Sequence, residues 1–455
     1  MKKTYLFSII LSAVIAASMT GCGEAISSNI MPTAAVDETT DTSSKAVSSS
    51  DSETETMTVK NRKASRKQTN DTNITDSPDA AATNSGTSPS VQSETPIKEI
   101  IPETASDVFT ERDLEQTADT SDSQNITVSD NSTIDITEEG VYVINGSAEN
   151  CTIRVEADDN AKVQLVLDGV SITNSDFPVI YVVSADKVFV TATETENTLT
   201  VSGQFRADGE TNTDAVIFSK DDLVLNGTGI LNINSYDGNG ITCKDDMKIT
   251  GGTYNAVVAL DAFEANDSIS VSDGVFNIKT NKDGFHCEND NTEGTIYISG
   301  GSFVIDGVSD GIQACALLQI DGGDITVNAA EGLEATYILI NGGNIDINAS
   351  DDGINASTST NAYETAIEIN GGYINVAVGQ RDTDAIDSNG SIYVNGGTIN
   401  VTAQMSSFDY DRTSEFNGGT IIINGTEVSE IPQNMMGGGM HGVKDGFGGG
   451  GGRRF

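Results

Sequence analysis

The stretch that decides the fold is Ile338-Leu-Ile-Asn-Gly-Gly-Asn-Ile-Asp-Ile-Asn-Ala-Ser-Asp-Asp-Gly-Ile-Asn355. Apolar residues alternate with polar ones on both sides of a Gly-Gly pair, and period-two alternation reads as strand. The glycines and the Asp-Gly dipeptide read as corners. A unit this short cannot bury its apolar edge alone, so it calls for stacked copies.

The chain supplies them. The first corner residues are Gly251, Asp273, Gly300, Gly322, Gly342, Gly371, Gly396 and Gly418, 20 to 29 residues apart. Two residues before each corner stand Ile249, Val271, Ile298, Ile320, Ile340, Ile369, Val394 and Phe416; three after it come Tyr254, Phe276, Phe303, Ile325, Ile345, Ile374, Ile399 and Ile421. Stacked at about 4.8 Å, each column becomes a continuous inward ladder. The leucine-rich-repeat alternative lacks its Leu/Asn pattern. The expected fold is therefore all-β: a single-stranded parallel β-helix (solenoid), right-handed by the general preference of crossovers, over residues 126–430 with looser coils before Asp214.

The ends read differently. Residues 1–22 form a leader: Lys2 and Lys3, an apolar run from Leu6 to Ala17, then Met19-Thr-Gly-Cys22. This resembles a bacterial lipoprotein signal, which implies lipidation of Cys22 and attachment to the cell surface by that lipid anchor. Residues 23–125 are rich in Ser, Thr, Asp and Glu and too poor in apolar residues to offset their ordering entropy, so a disordered tether is expected. The Gly/Met-rich tail, 431–455, reads as disordered too. Cys243 and Cys287 fall in one inward column with Ala265 and Ala335, two coils apart and too far for a disulfide.

With 68 acidic against 24 basic residues the formal charge is −44. Such a polyanion disfavours nucleic acid and anionic membrane as partners and favours cations. The acids have an order. One column holds Asp214, Asn239, Asp261, Asp283, Asp310, Glu331, Asp352 and Asp384; three residues on come Glu264, His286, Gln313, Glu334, Asn355 and Asp387. In register, neighbouring carboxylates lie about 5 Å apart and repel by roughly 3 kcal/mol at an effective dielectric near 20. The side chains splay into water, share protons or hold cations, and an oxygen-only donor set suits Ca²⁺. Asp-Gly is also an ordinary turn dipeptide. A second row, Asp221-Asp222, Asp245-Asp246 and Asp267, reads as a solvated turn. There is no Trp, which disfavours the aromatic platforms that grip neutral sugars.

The phrases Leu165-Val-Leu-Asp-Gly-Val-Ser-Ile-Thr173, Asp283-Gly-Phe-His286, Asp310-Gly-Ile-Gln313 and Asp352-Gly-Ile-Asn355, with their Gly-Gly corners, resemble a bacterial family. It comprises the carbohydrate-binding, pectate-lyase-like β-helix surface lipoproteins of the clostridial pectin-binding type. The resemblance covers about 140–430. It implies a right-handed parallel β-helix, bound calcium, and affinity for acidic polysaccharide such as polygalacturonate. On these positions it places calcium among Asp261, Glu264, Asp283, Asp310, Glu331, Glu334, Asp352, Asn355, Asp384 and Asp387. His286 and Gln313 depart from a regular acidic column, and the insertion before Asp384 leaves its register open. The leading expectation is non-catalytic, calcium-dependent binding at the cell surface. The rivals are a calcium-dependent lyase, with Lys282 or Arg381 as base, and a structural adhesin or spacer rod.

Overall fold

The computed structural model describes residues 100–289, 294–380 and 383–432. The leader with Cys22, the tether up to residue 99, the tail from 433 and Arg381 lie outside the described residues.

The chain winds into a parallel β-solenoid whose coils from Ile180 onward each contribute three strands. A typical coil runs Tyr337–Ile340, Asn344–Ala349 and Ile354–Ala356 before Ala366–Ile369 begins the next. Strands of the third kind form a separate 12-stranded sheet in strict chain order. The other two ladders join into one 24-stranded sheet through the long early strands Gly140–Glu149 and Lys162–Asn174. Pairing is parallel until the last coil, where Thr420–Ile423 turns back on Thr426–Val428. The turn is Asn424-Gly425, both at positive φ, the two-residue loop that suits a tight hairpin. It covers the last strand of that one ladder.

The columns read from the sequence hold residue for residue. Ile249, Val271, Ile298, Ile320, Ile340, Ile369, Val394 and Phe416 are successive ladder partners. So are Tyr254, Phe276, Phe303, Ile325, Ile345, Ile374, Ile399 and Ile421. The rings stack within the core: Tyr254 on Phe276 at 5.4 Å, Phe276 on Phe303 at 4.6 Å, and Phe263 on Phe285 at 4.8 Å. Cys243, Ala265 and Cys287 are successive partners, and both thiols are buried and free.

Glycine does two separate jobs. At the Gly-Gly corners the second residue has positive φ in every copy, from +80° at Gly397 to +139° at Gly274. The glycine that follows the first-column acid stands at or just before the start of the third strand and has a further reason to lack a side chain. A Cβ on Gly332 would stand 2.4 Å from the Gly353 carbonyl oxygen, and one on Gly311 2.6 Å from that of Gly332. Coils touch there backbone to backbone.

One part of the expected tether is structured. Residues 100–123 run back along the outer face of the ladder that precedes the Gly-Gly corners. Glu103 exchanges two hydrogen bonds with Gln319, Phe109 stands 6.4 Å from Tyr297, and Arg112 lies 4.5 Å over the Phe189 ring. Buried Asp113 faces Lys248 at 3.5 Å and Lys187 at 3.8 Å, and Gln116 bridges Thr250 and Gly227. These contacts are mostly polar pairs with outward side chains, so a count of apolar residues passes over them.

Candidate functional site along the acidic edge

From Asn239 to Asp384 the strands of the 12-stranded ladder begin at or just after a first-column residue, so those residues form an edge. Its outward positions are Thr242, Glu264, His286, Gln313, Glu334, Asn355, Asp387 and Asp409, each paired to the next. The open register is thereby resolved: Asn355 pairs with Asp387, which puts Asp384 level with Asp352. Asp409 belongs to the column and was not anticipated. It lacks the Asp-Gly-Ile phrase, and only its place one repeat length after Asp387 marks it.

The first column has a structural duty. Asn239 Oδ1 accepts the backbone N–H of Asp261 at 2.9 Å, Asp261 Oδ1 that of Asp283 at 3.1 Å, Asp283 Oδ1 that of Asp310 at 2.9 Å, and Asp352 Oδ1 that of Asp384 at 2.7 Å. Each side chain thus satisfies a backbone donor of the next coil, which a buried turn requires. One carboxylate oxygen each of Asp261, Asp283 and Asp352 is committed in this way.

The carboxylates of the edge fall into groups. Asp310, Glu331 and Glu334 bring carboxylate oxygens within 4.8 Å of one another; so do Asp384, Asp387 and Asp409, and Asp261 and Asp283 with a nitrogen of His286. Among the described residues, no base forms an ion pair with Asp310, Glu331 or Glu334. Their neighbours are polar: Asn355 Nδ2 donates to Glu331 Oε2 at 2.8 Å, and Ser357 Oγ to Glu334 Oε1 at 2.7 Å. Asn355 is 8% exposed and its Oδ1 is buried without a hydrogen-bond partner. An orphan acceptor on a residue bonded to Glu331 and paired with Glu334 is an oxygen still open to a cation.

The electrostatics agree. Burial, then Asp283, Glu331 and Glu334, push Asp310 up to about 8. Glu331 rises to about 7, by burial against the Asn355 hydrogen bond and with Glu334 adding to it. Burial, then Asp352, Asp384 and Asp409, lift Asp387 to about 7. At neutral pH these groups share protons or exchange them for a metal.

The remaining sequence-derived positions are engaged otherwise. Glu264 accepts from Asn239 and Thr242 and pairs with Lys244 at 3.4 Å. Lys282 lies 2.7 Å from Asp261 and 3.7 Å from Asp283. Burial lowers its pKa, but the hydrogen bond and charge of Asp261, with Asp283, carry it above the ordinary lysine value. A held ammonium is the opposite of the base that a lyase needs. In the second acidic row, Asp222, Asp245 and Asp246 converge within 4.8 Å, and Asp245 is pushed by burial and its neighbours to about 6. That row is more crowded than a solvated turn.

The chain is similar to known proteins. A relative from Acetivibrio thermocellus, a carbohydrate-binding domain-containing protein, is 36% identical over 122 residues, 26% of this chain and 43% of its own length. The match thus spans under half of that relative. The solved structure of the polysaccharide lyase-like protein from C. thermocellum, a gadolinium derivative, aligns over 68% of this chain and 95% of its own, at 22% identity and a TM-score of 0.31. A family profile matches residues 130–385 and 332–430, the greater part of the chain. Its extent follows the solenoid from the early coils to the closing hairpin, and the chain accordingly belongs to the carbohydrate-binding domain-containing protein family.

Proposed function

We propose that this solenoid binds polysaccharide, and specifically an acidic polymer of the polygalacturonate or pectin kind, through calcium held on the acidic edge, without cleaving it. The family supports carbohydrate as the ligand class. The single observation that supports calcium is the Asp310–Glu331–Glu334 group with the orphan Asn355 Oδ1 beside it. All its donors are oxygens, the chemistry that hard divalent cations take. Asp384, Asp387 and Asp409 offer a second such set.

A polyanionic edge repels a polyuronate. The bound ion supplies the positive charge that lets both sets of carboxylates approach. The chain's own part is to hold its carboxylates in a rigid row at coil spacing, so a polymer meets repeated sites and gains from multivalency. Cys22, as a lipidated residue, would tie this surface to the outside of the bacterial cell membrane.

The test is retention on immobilised polygalacturonate in calcium, then in chelator, with wild type and the Asp310→Asn/Glu331→Gln double variant. Retention lost in chelator and in the variant is expected. Binding indifferent to both removes calcium from the account, and release of unsaturated uronides from the polymer removes the non-catalytic reading.

A further inference from the structure

The acidic edge is not uniform along the rod. Asp261 and Asp283, 2% and 1% exposed, spend their Oδ1 atoms on the backbone of the next coil. Both Oδ2 atoms then face one ammonium, Lys282 Nζ, at 2.7 and 3.7 Å. His286 Nδ1 approaches the same Asp261 oxygen at 3.4 Å. Every carboxylate oxygen of this step has a donor or cation already. Burial alone would raise Asp261, yet His286 and Lys282 together bring it below its ordinary value.

The sequence shows how local this is. Lys282 immediately precedes the first-column Asp283, where the other copies carry Leu260, Ser309, Ala330, Asp351 and Thr383. A positive residue stands at this point of the repeat once in these six coils, beside the most deeply buried acid pair of the column.

We infer that Lys282 is the resident cation of the Asp261–Asp283 step: its tethered ammonium does there what a divalent ion does at Asp310–Glu331–Glu334, so this step takes no metal and keeps its stacking in chelator. An ion bound to Asp261 Oδ2 and Asp283 Oδ2 would sit at about 2.3–2.6 Å from each, in the space that Nζ holds. Two cations do not share that space, and nothing in the step needs the second. The edge is thereby divided. The Asp261–Asp283 step stands on its own charge balance, and control by calcium along this edge lies in the coils from Asp310 onward. The contrast with those coils rests on the calcium reading above; the role of Lys282 does not.

The experiment uses the full chain as wild type and as Asp261→Asn, Lys282→Gln and Lys282→Arg. Bound calcium is counted after equilibrium dialysis, and hydrogen exchange of Phe263–Ala265, Phe285–Cys287 and Glu331–Ala335 is followed with calcium and with chelator. Expected are an unchanged ion count in Asp261→Asn and chelator-resistant protection of the first two strands in wild type. Lys282→Gln loses that protection in chelator, gains one ion per chain in calcium, and is rescued by Lys282→Arg. An ion lost in Asp261→Asn overturns the inference, as does wild-type protection of Phe285–Cys287 that falls in chelator as far as that of Glu331–Ala335. Should wild type bind no calcium, the proposed function fails by itself. Lys282 is then judged on exchange alone: protection lost in Lys282→Gln and kept in Lys282→Arg sustains it, and protection unchanged in Lys282→Gln sinks it.

Discussion

Glu331 and Asn355, one coil apart, meet through an Nδ2–H to Oε2 hydrogen bond of 2.8 Å that leaves Asn355 Oδ1 buried without a donor. The amide can donate to the carboxylate or share a cation with it, and the raised acids nearby set the pH at which the two states exchange. Asp310 at about 8 and Glu331 at about 7 lie above the ordinary carboxyl range near 4. A carboxyl raised in the folded state contributes stability that is full below its unfolded pKa and is lost as pH rises through its folded one. The metal-free domain should therefore lose stability steadily between pH 4 and 8. Calcium binding at pH 7 should release protons, visible as a calorimetric heat that varies with the ionisation enthalpy of the buffer. A buffer-independent heat would show that the ion binds elsewhere.

Stacked rings fill the core of the middle coils. Phe276 packs face to face with both Tyr254 and Phe303 and is fully buried. Phe276→Ala should cost about 3–5 kcal/mol in denaturant unfolding, by lost transfer energy and the cavity left behind. Phe276→Leu should recover much of that. Equal losses for the two would mean that ring stacking, rather than filled volume, holds these coils.

Gly332 tests the backbone contact between coils. Its substitution by Ala drives a methyl to 2.4 Å from the Gly353 carbonyl oxygen, and overpacking of this kind costs about 1–3 kcal/mol. Gly379→Ala is the control, since a Cβ there would meet only the Ser350 carbonyl oxygen at 3.5 Å. Thermal melts of the two should separate clearly; coincident melts would show that the close approach of Gly332 to Gly353 is not what requires glycine there.

The outer strap depends on Asp113, which accepts the Thr110 N–H at 3.0 Å and faces two lysines. Burial raises its pKa, but the Thr110 hydrogen bond and the charges of Lys187 and Lys248 bring it below the usual range. Asp113→Ala should weaken the strap by about 1–3 kcal/mol, read as faster hydrogen exchange over 105–116 with little change in the inward ladders. Exchange that rises equally in the core would show that strap and solenoid unfold together.

What could be read beforehand, and what could not, follows from how each feature is encoded. The columns from Ile249 to Phe416 and from Tyr254 to Ile421 were legible because burial selects apolar residues at a fixed offset from each corner, and the offset survives insertions. The row of acids was legible for the same reason. Asp409 was missed because its coil keeps the spacing and drops the phrase. The strap was missed because its hold on the rod comes mostly from polar pairs, with the Phe109–Tyr297 ring contact among them, spread over residues 103–319.

By itself the sequence determined the solenoid, its inward ladders and the existence of an acidic edge, all consequences of a period that repeats. Only the tertiary structure decided how that edge is divided: which carboxylate oxygens brace the next coil, which face Lys282, and which converge beside Asn355. Those outcomes turn on distances of a few ångströms between side chains some 20–30 residues apart. Local pattern does not specify such distances, because the same Asp-Gly phrase yields either arrangement depending on what the neighbouring coil presents.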